Sequence, residues 1–387
     1  KRASYWDLVA VLETQASQAQ TSQGSANPSS FEARLATVDG KRVAQGRDFG
    51  DDGKLKNDAV VIDQSKAESL AAGLDGRPMQ VASVEHKPYT RRPYAPFMTS
   101  TLQQEAGRRL HFTSERTMRI AQRLYENGHI TYMRTDSTSL SKQGLNAARA
   151  AARSNFGEEY LASAPRTYDR KVKNSQEAHE AIRPAGETFA TPGKLAGQLD
   201  AEEYKLYELI WKRTVASQME DAKGTSMKVT IDGESSTGEK TEFTATGRTI
   251  DFPGFLKAYE DVPEPSSQAA NTANTANTAD KAKNKSSKKS GGEKRLPHLS
   301  QGDALGVDKV TAEGHTTNPP ARYNEASLVK KMEDLGIGRP STYASIIKTI
   351  QDRGYVLSRG NALVPSWVAF AVVGLLENNF TELVDYD

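Results

Sequence analysis

The chain has 387 residues, enough for two or three domains with sizeable cores. Its 51 basic and 49 acidic residues leave a net charge of +2, so bulk charge predicts no nucleic-acid binding and favours an ordinary cytosolic protein; a nucleic-acid-binding protein of this composition would have to concentrate its cations in a groove. The absence of cysteine excludes disulfides and thiolate metal sites. No apolar run approaches the ~20 residues that cross a membrane and no secretory signal is visible, so we expect a cytoplasmic protein without a membrane partner.

The first ninety residues read mostly as strands and turns. Alternating polarity predicts strands over 33–38 and 79–84, and Asp39-Gly40 is a turn signal between two of the extended segments. A short helix is predicted over 64–72.

The pattern then becomes helical before strands return. Helices are predicted over 114–127, 141–156 and 202–219, followed by strands at 226–231 and 241–246. This order predicts a helical domain inserted into a β domain that the chain leaves and re-enters.

A tyrosine and an arginine follow the first of these helices at close spacing. Residues 129–133 come after a helix cap at Gly128 and are β-prone, so they predict a strand. Tyr132 and Arg134 would share one face of that strand, because side chains repeat every two residues. A guanidinium beside a phenol suits attack on a phosphodiester, since arginine grips the phosphate and favours the phenolate. On spacing alone, a half-buried strand tyrosine with a solvated arginine is the commoner interpretation.

A second candidate site lies at 324–364, where a helix capped by Asn324, a glycine turn, a second helix and a hairpin are predicted. This helix–turn–helix with a β wing is a DNA-binding architecture, though it also serves as a plain packing unit. Exposed N–H groups, Arg339 and Thr342 predict a phosphate site at the start of the second helix. The isoleucine stripe of that helix is predicted to be core.

Two other segments bear on function. His179 and Arg183 lie four residues apart, on one face if the segment is helical, although a surface histidine is the default interpretation. Residues 262–295 repeat Asn-Thr-Ala and then become lysine-rich, which predicts a disordered linker.

The segment ITYMRTDS at 130–137 resembles the active-site segment of type IA DNA topoisomerases, in which the tyrosine forms a covalent link to a 5′ phosphate of one cut strand. Met133 favours the bacterial topoisomerase I branch of that family. Further segments resemble the family in the same order, namely PFMTSTLQQ at 96–104, SQEAHEAIRP at 175–184, LYELIWKR at 206–213 and GIGRPSTYAS at 336–345.

The resemblance implies roles for individual residues. Tyr132 would be the nucleophile, Arg134 its phosphate partner, and His179 a ligand of a backbone phosphate near the active site. The DNA contacts implied are Thr131, Arg183, Arg339, Thr342 and Arg353.

The resemblance also implies a multidomain α+β fold. A β-rich hinge or gate domain would comprise 1–93 and 221–310, with an inserted all-helical domain at 94–220 that carries the catalytic tyrosine. Residues 311–387 would form a partial helix-turn-helix or winged-helix-like domain.

The implied activity is ATP-independent relaxation of negatively supercoiled DNA by transient single-strand cleavage. The family binds Mg²⁺ through an N-terminal Toprim domain that has no counterpart in the sequence, so no metal ligand is expected here and the chain alone should be inactive. The expected partners are single-stranded and negatively supercoiled DNA and the missing Toprim domain, for a nucleoid-associated monomer.

Two other functions remain open. A tyrosine recombinase also combines tyrosine, arginine and histidine, but it forms a 3′ link. A non-enzymatic gate module would bind single strands without any covalent adduct.

Overall fold

A computed structural model describes residues 1–14, 29–168, 180–260 and 295–384. The structure is mixed α+β, as predicted, and the described residues form two compact units. Unit 1 contains 1–90, 223–252 and 295–319, and unit 2 contains 91–222, 253–260 and 320–384, within the ranges described. The predicted linker lies outside the described residues, apart from Arg295.

Unit 1 is built on one seven-stranded sheet. The strands are β1 Ser4–Thr14, β2 Ser30–Val38, β3 Lys41–Arg42, β4 Met79–Arg91, β5 Ala222–Glu234, β6 Lys240–Phe252 and β7 Ala304–Thr316. They are ordered β1-β7-β4-β5-β6-β2-β3. Because β1 also pairs with β2, the strands from β1 to β2 in this order form a closed ring of paired strands. The pairings of β1 with β7 and with β2 are both antiparallel.

The alternation that predicted β2 is seen directly in its burial. Phe31, Ala33 and Leu35 are buried, whereas Glu32 and Arg34 point to solvent. Successive side chains of a strand face opposite sides, so the apolar set lines the core of the unit. That core also contains Leu8, Leu12, Val81, Ile231 and Phe243.

Two other local predictions in unit 1 are confirmed. Asp39 and Gly40 both adopt positive φ, 49° and 75°, as the tight turn between β2 and β3 requires. Helix α1, Gln64–Leu74, begins where the Asp63 side chain accepts a hydrogen bond from the backbone N–H of Lys66 at 2.8 Å.

The C-terminal boundary differs from the predicted one. Strand β7 continues to Thr316, so the division expected between residues 310 and 311 falls inside a strand of the sheet. The described residues after 319 group with the helices of unit 2.

Unit 2 contains the three helices predicted between residues 114 and 219, with small changes at their ends, and two helices that were not predicted individually. The two are α2 Thr99–Arg109 and α5 Pro192–Leu195, and the predicted three are α3 Ser114–Glu126, α4 Lys142–Phe156 and α6 Ala201–Ala216. Gly128 has a φ of 73°, which fits the left-handed cap predicted after α3. Fully buried apolar side chains from α2, α3 and α6 form the core, among them Leu102, Ile120, Leu124, Leu206 and Ile210.

The predicted helix–turn–helix and hairpin are also present in unit 2. They are α7 Glu325–Leu335, α8 Tyr343–Asp352, β8 Val356–Arg359 and β9 Ala362–Pro365. Asn324 caps α7 as expected, and Gly336 ends it with a φ of 74°. Tyr343 and Ile347 are buried against α7, whereas Ile346 and Ile350 are half-buried, so the stripe predicted to be core on α8 is core for two of its four residues.

A further helix, α9 Trp367–Asn379, was not predicted. It is strongly apolar, yet none of its residues is buried within the described chain. Trp367 is 79% exposed and Phe370 is 70% exposed. In the parts of the chain that the structure describes, no helix is both long and apolar enough to span a membrane.

Candidate active site

The prediction of a strand over 129–133 is wrong, because these residues form a loop with one isolated bridge. The loop is held mainly by Thr131. Its N–H donates to the carbonyl of Arg183 at 2.9 Å, and its hydroxyl donates to the carbonyl of Ala181 at 2.8 Å. The N–H of Arg183 donates back to the Thr131 hydroxyl at 3.0 Å. Hydrogen bonds of the Thr131 side chain thus hold this loop where a strand would be held by backbone hydrogen bonds. The Thr131 hydroxyl, which was expected to contact DNA, is bonded within the protein.

Thr99, the first residue of α2, holds the other end of the loop. Its hydroxyl donates to the carbonyl of Met133 at 2.7 Å and accepts from the N–H of Thr135 at 2.9 Å. Its own N–H donates to the carbonyl of Thr135 at 2.9 Å. Thr99 has no exposed surface, so these bonds form without competition from water.

Tyr132 and Arg134 project from this loop towards solvent. Met133 and Thr135 are 2% and 3% exposed, whereas Tyr132 is 43% exposed and Arg134 is also exposed. Among the described residues Arg134 makes no ion pair, so its guanidinium is free to bind an anion. The exposed phenol and guanidinium therefore stand two residues apart on a backbone that is fixed at both ends.

Tyr125 lies against the candidate nucleophile. Its ring, on the last turn of α3, meets the Tyr132 ring edge to face with centroids 5.3 Å apart and planes at 71°. Tyr125 is 42% exposed, so the pair is a surface feature and not part of the core.

Arg183 occupies a different position from the DNA contact that was expected. It is 4% exposed and binds both carboxylate oxygens of Glu180, at 2.5 and 3.1 Å. It also donates to the carbonyls of Pro184 and Gly186, at 2.8 and 3.1 Å. Because these bonds fix the segment that pairs with Thr131, the geometry suits Arg183 to hold the loop and not to meet phosphate.

Glu180 links this arginine to the start of α4. Its carboxylate accepts hydrogen bonds from the N–H and hydroxyl of Ser141, the residue that caps α4, at 2.9 and 2.6 Å. Burial alone would raise the pKa of Glu180, but the hydrogen bonds from Arg183 and Ser141 outweigh it and lower the pKa below its usual range. The positive end of the α4 dipole also favours the charged form.

The expected phosphate ligand His179 lies outside the described residues. Of the segment 175–184 that resembles the family, only Glu180 to Pro184 is described, and this part includes the Glu180–Arg183 ion pair.

The start of α8 presents fewer free groups than the sequence predicted. The hydroxyl of Thr342 accepts a hydrogen bond from the N–H of Arg339 at 2.8 Å. The N–H groups of Thr342 and Tyr343 both donate to the carbonyl of Arg339. The side chains of Arg339 and Arg353 are nonetheless exposed, so both remain suited to a phosphate.

The helix–turn–helix packs directly on the helices that carry the loop. Glu325 of α7 accepts a hydrogen bond from the N–H of Ser114, the first residue of α3, at 2.7 Å. Gly107 of α2 lies close to Ala326. An open cleft of about 470 Å³ remains between α2, α7 and the hairpin, lined by Arg108, His111, Phe112, Asn324 and Asn361 among others.

Carboxylate and imidazole side chains are the groups of this chain that could hold a metal ion. In the described ranges no group of three or more His, Asp or Glu side chains is placed to hold an ion.

Three residues of the site carried no assigned role in the sequence. Thr99 lies within the segment 96–104 and Glu180 within 175–184, so family resemblance marked both segments without indicating what these side chains do. Tyr125 appeared only as one apolar position of a helix, and no local pattern indicated its contact with Tyr132.

The fold and the loop define a mixed α+β protein that presents an exposed tyrosine and arginine from its helical unit. The family model described as DNA topoisomerase matches residues 2–387. The chain therefore belongs to the type IA DNA topoisomerase family, whose members are isomerases.

The similar proteins are bacterial and considerably longer than this chain. DNA topoisomerase 1 of Mycolicibacterium smegmatis is 60% identical over the whole chain, which covers 39% of that protein. DNA topoisomerase 1 of Streptomyces coelicolor is 53% identical, and the chain covers 38% of it. The full-length topoisomerase I structure from Thermotoga maritima has a TM-score of 0.69 and 29% identity, covering all of this chain and 53% of that one.

Proposed function

We propose that this chain carries the DNA-cleaving tyrosine and the gate of an ATP-independent type IA topoisomerase that relaxes negatively supercoiled DNA. The observation that supports this most is the exposed Tyr132 and Arg134 pair on a loop fixed by Thr131 and Thr99. The chain spans about two fifths of the length of its curated relatives, and the complete activity is proposed for a longer protein that includes these residues.

The cleavage step conserves the phosphodiester bond energy. The phenol oxygen of Tyr132 attacks phosphorus as its proton is lost, and the bond from phosphorus to O3′ breaks. The O3′ atom takes up a proton, while the 5′ phosphate stays on the tyrosine. Religation is the reverse attack by O3′, so no ATP is required.

Arg134 would stabilise the phosphate during this exchange. A guanidinium binds two phosphate oxygens at once and offsets the charge that develops on them. Arg339 and Arg353, exposed near the ends of α8, would hold the backbone of the same single strand. In this proposal Thr131 and Arg183 position the loop, and His179 remains a proposed phosphate ligand.

The Mg²⁺ ligands and the general acid of the family are proposed to lie in segments outside these 387 residues. The described residues provide no metal cluster, and the relatives contain more than twice as much sequence. Magnesium, when bound by such a segment, would help to balance charge on the reacting phosphate. The chain alone is then expected to bind single strands without relaxing plasmid DNA, as a monomer in the cytoplasm at the nucleoid.

End-labelled single strands test the proposal. In a full-length type IA enzyme containing this chain, a 3′-labelled strand should transfer its label to protein, and a 5′-labelled strand should yield a shortened free product. Tyr132→Phe should abolish both products while leaving DNA affinity unchanged. Cleavage that persists in Tyr132→Phe contradicts the proposal.

The same experiment separates the other functions. A tyrosine recombinase would place the 5′ label on the protein, because it forms a 3′ link. A non-enzymatic strand-binding module would bind the DNA in both variants and give no covalent product even in the full-length context.

A further inference from the structure

We propose that Tyr125 is a positioning residue for Tyr132, and that its ring sets the direction from which the Tyr132 phenol approaches the phosphate. The inference deepens the proposed function and rests on it, because it takes Tyr132 as the nucleophile. It concerns the orientation of the Tyr132 side chain, which the fixed loop backbone does not determine.

The backbones of both tyrosines are anchored. At the end of α3, the N–H of Gly128 donates to the carbonyl of Tyr125 at 2.9 Å. Tyr132 stands between Thr131, which is hydrogen-bonded at both its N–H and its hydroxyl, and Met133, which is buried and bonded to Thr99. The freedom that remains for Tyr132 is rotation of its side chain.

The contact between the rings restricts that rotation. A centroid distance of 5.3 Å and an interplanar angle of 71° lie within the range favoured for edge-to-face aromatic pairs. Both rings are more than two fifths exposed, so core packing does not hold them in this arrangement. Within the described chain neither phenol makes a hydrogen bond, and the ring contact is therefore what orients Tyr132.

An orienting contact of this kind should act on the rate of cleavage and not on the binding of DNA. The attacking oxygen must lie in line with the leaving oxygen, and misplacement lowers the fraction of productive encounters. When the usual strength of an aromatic pair is converted into a rate, loss of the ring contact is predicted to lower the cleavage rate roughly two- to ten-fold.

The first test uses the 387-residue chain labelled with 3-fluorotyrosine and observed by ¹⁹F NMR. The resonance that disappears in Tyr132→Phe belongs to Tyr132. Tyr125→Leu should shift that resonance, because the ring current is lost, and should narrow it, because the ring rotates more freely; Tyr125→Phe should leave it nearly unchanged. An unmoved resonance in Tyr125→Leu overturns the proposal.

The second test measures the rate of covalent adduct formation against single-strand concentration in the full-length enzyme. Tyr125→Leu should lower the rate at saturating DNA by about two- to ten-fold with unchanged affinity, and Tyr125→Phe should restore it. A loss in affinity alone, or a Phe variant as slow as the Leu variant, contradicts a positioning role. Tyr323→Leu, which alters a tyrosine of similar exposure at 46%, is the control and should match the parent protein.

The two tests distinguish the failure of this inference from failure of the proposed function. Cleavage by Tyr132→Phe would remove the proposed nucleophile, whatever Tyr125 does. If Tyr132→Phe is inactive and Tyr125→Leu cleaves at the parental rate, only the positioning role is lost.

Discussion

Thr99 and Thr135 exchange two hydrogen bonds across the base of the tyrosine loop. The N–H of Thr99 donates to the carbonyl of Thr135, and the N–H of Thr135 donates to the hydroxyl of Thr99, each at 2.9 Å. The same hydroxyl donates to the carbonyl of Met133. One buried side chain at the start of α2 thus fixes the backbone on the C-terminal side of Tyr132.

Replacing Thr99 by valine should loosen this loop without changing side-chain volume much. The N–H of Thr135 and the carbonyl of Met133 would lose their partner, which costs about 1–3 kcal/mol for a buried group. Chemical denaturation should show that loss, and hydrogen exchange should show faster exchange at Thr135. Thr99→Ser keeps the hydroxyl and is the control; equal loss in both variants would contradict a role for the hydrogen bonds.

The sequence predicted most helices because their end signals are local. Asn324 and Gly336 mark the limits of α7, and both behave as expected. The loop around Tyr132 was mistaken for a strand because its β-prone residues are held by hydroxyls of Thr99 and Thr131, which local patterns do not reveal. The burial of Arg183 depends in the same way on tertiary packing.

Exchanging arginine for another residue should separate structural from DNA-binding roles. Arg183→Met should lower the free energy of unfolding by about 2–3 kcal/mol, because it leaves Glu180 without its buried partner. Arg339→Met should leave stability within about 0.5 kcal/mol and weaken single-strand binding, lowering the salt dependence by roughly one counterion. Denaturation and anisotropy titrations at several salt concentrations measure the two effects. Full stability in Arg183→Met would show that the observed ion pair is not structural.

The carboxylate of Glu180 should make stability depend on pH. Its pKa is lowered in the folded chain, so its contribution is complete above the usual pKa of 4.5 and is lost as the pH falls below it. Glu180→Gln should therefore be less stable than the parent protein at neutral pH and approach it in acid. Thermal unfolding from neutral pH to about pH 3 measures this difference. Glu187→Gln, which alters an exposed carboxylate, should parallel the parent curve.

Gly144 should be intolerant of a side chain even though it lies within a helix. A Cβ there would approach Glu180 Oε1 to 2.6 Å and would also meet Arg183, so the ion pair must move. We expect Gly144→Ala to cost about 1–3 kcal/mol, as overpacking of a filled site usually does. Gly374→Ala in α9, where a Cβ meets nothing within 4 Å, should be neutral or slightly stabilising. If Gly144→Ala and Gly374→Ala change the denaturant midpoint equally, the Glu180–Arg183 ion pair can move aside without a cost in stability.

The apolar face of α9 should govern how the isolated 387-residue chain behaves in solution, where we otherwise expect a monomer. Trp367 and Phe370 are 79% and 70% exposed, and clustered apolar surface of this kind promotes association. Sedimentation velocity should show association that grows with concentration, and binding of a hydrophobic dye should be strong. The double variant Trp367→Ser with Phe370→Ser should reduce both. Val60→Ser with Val61→Ser removes less exposed apolar side chains of unit 1 and should change neither; a strictly monomeric parent chain with weak dye binding would contradict the expectation.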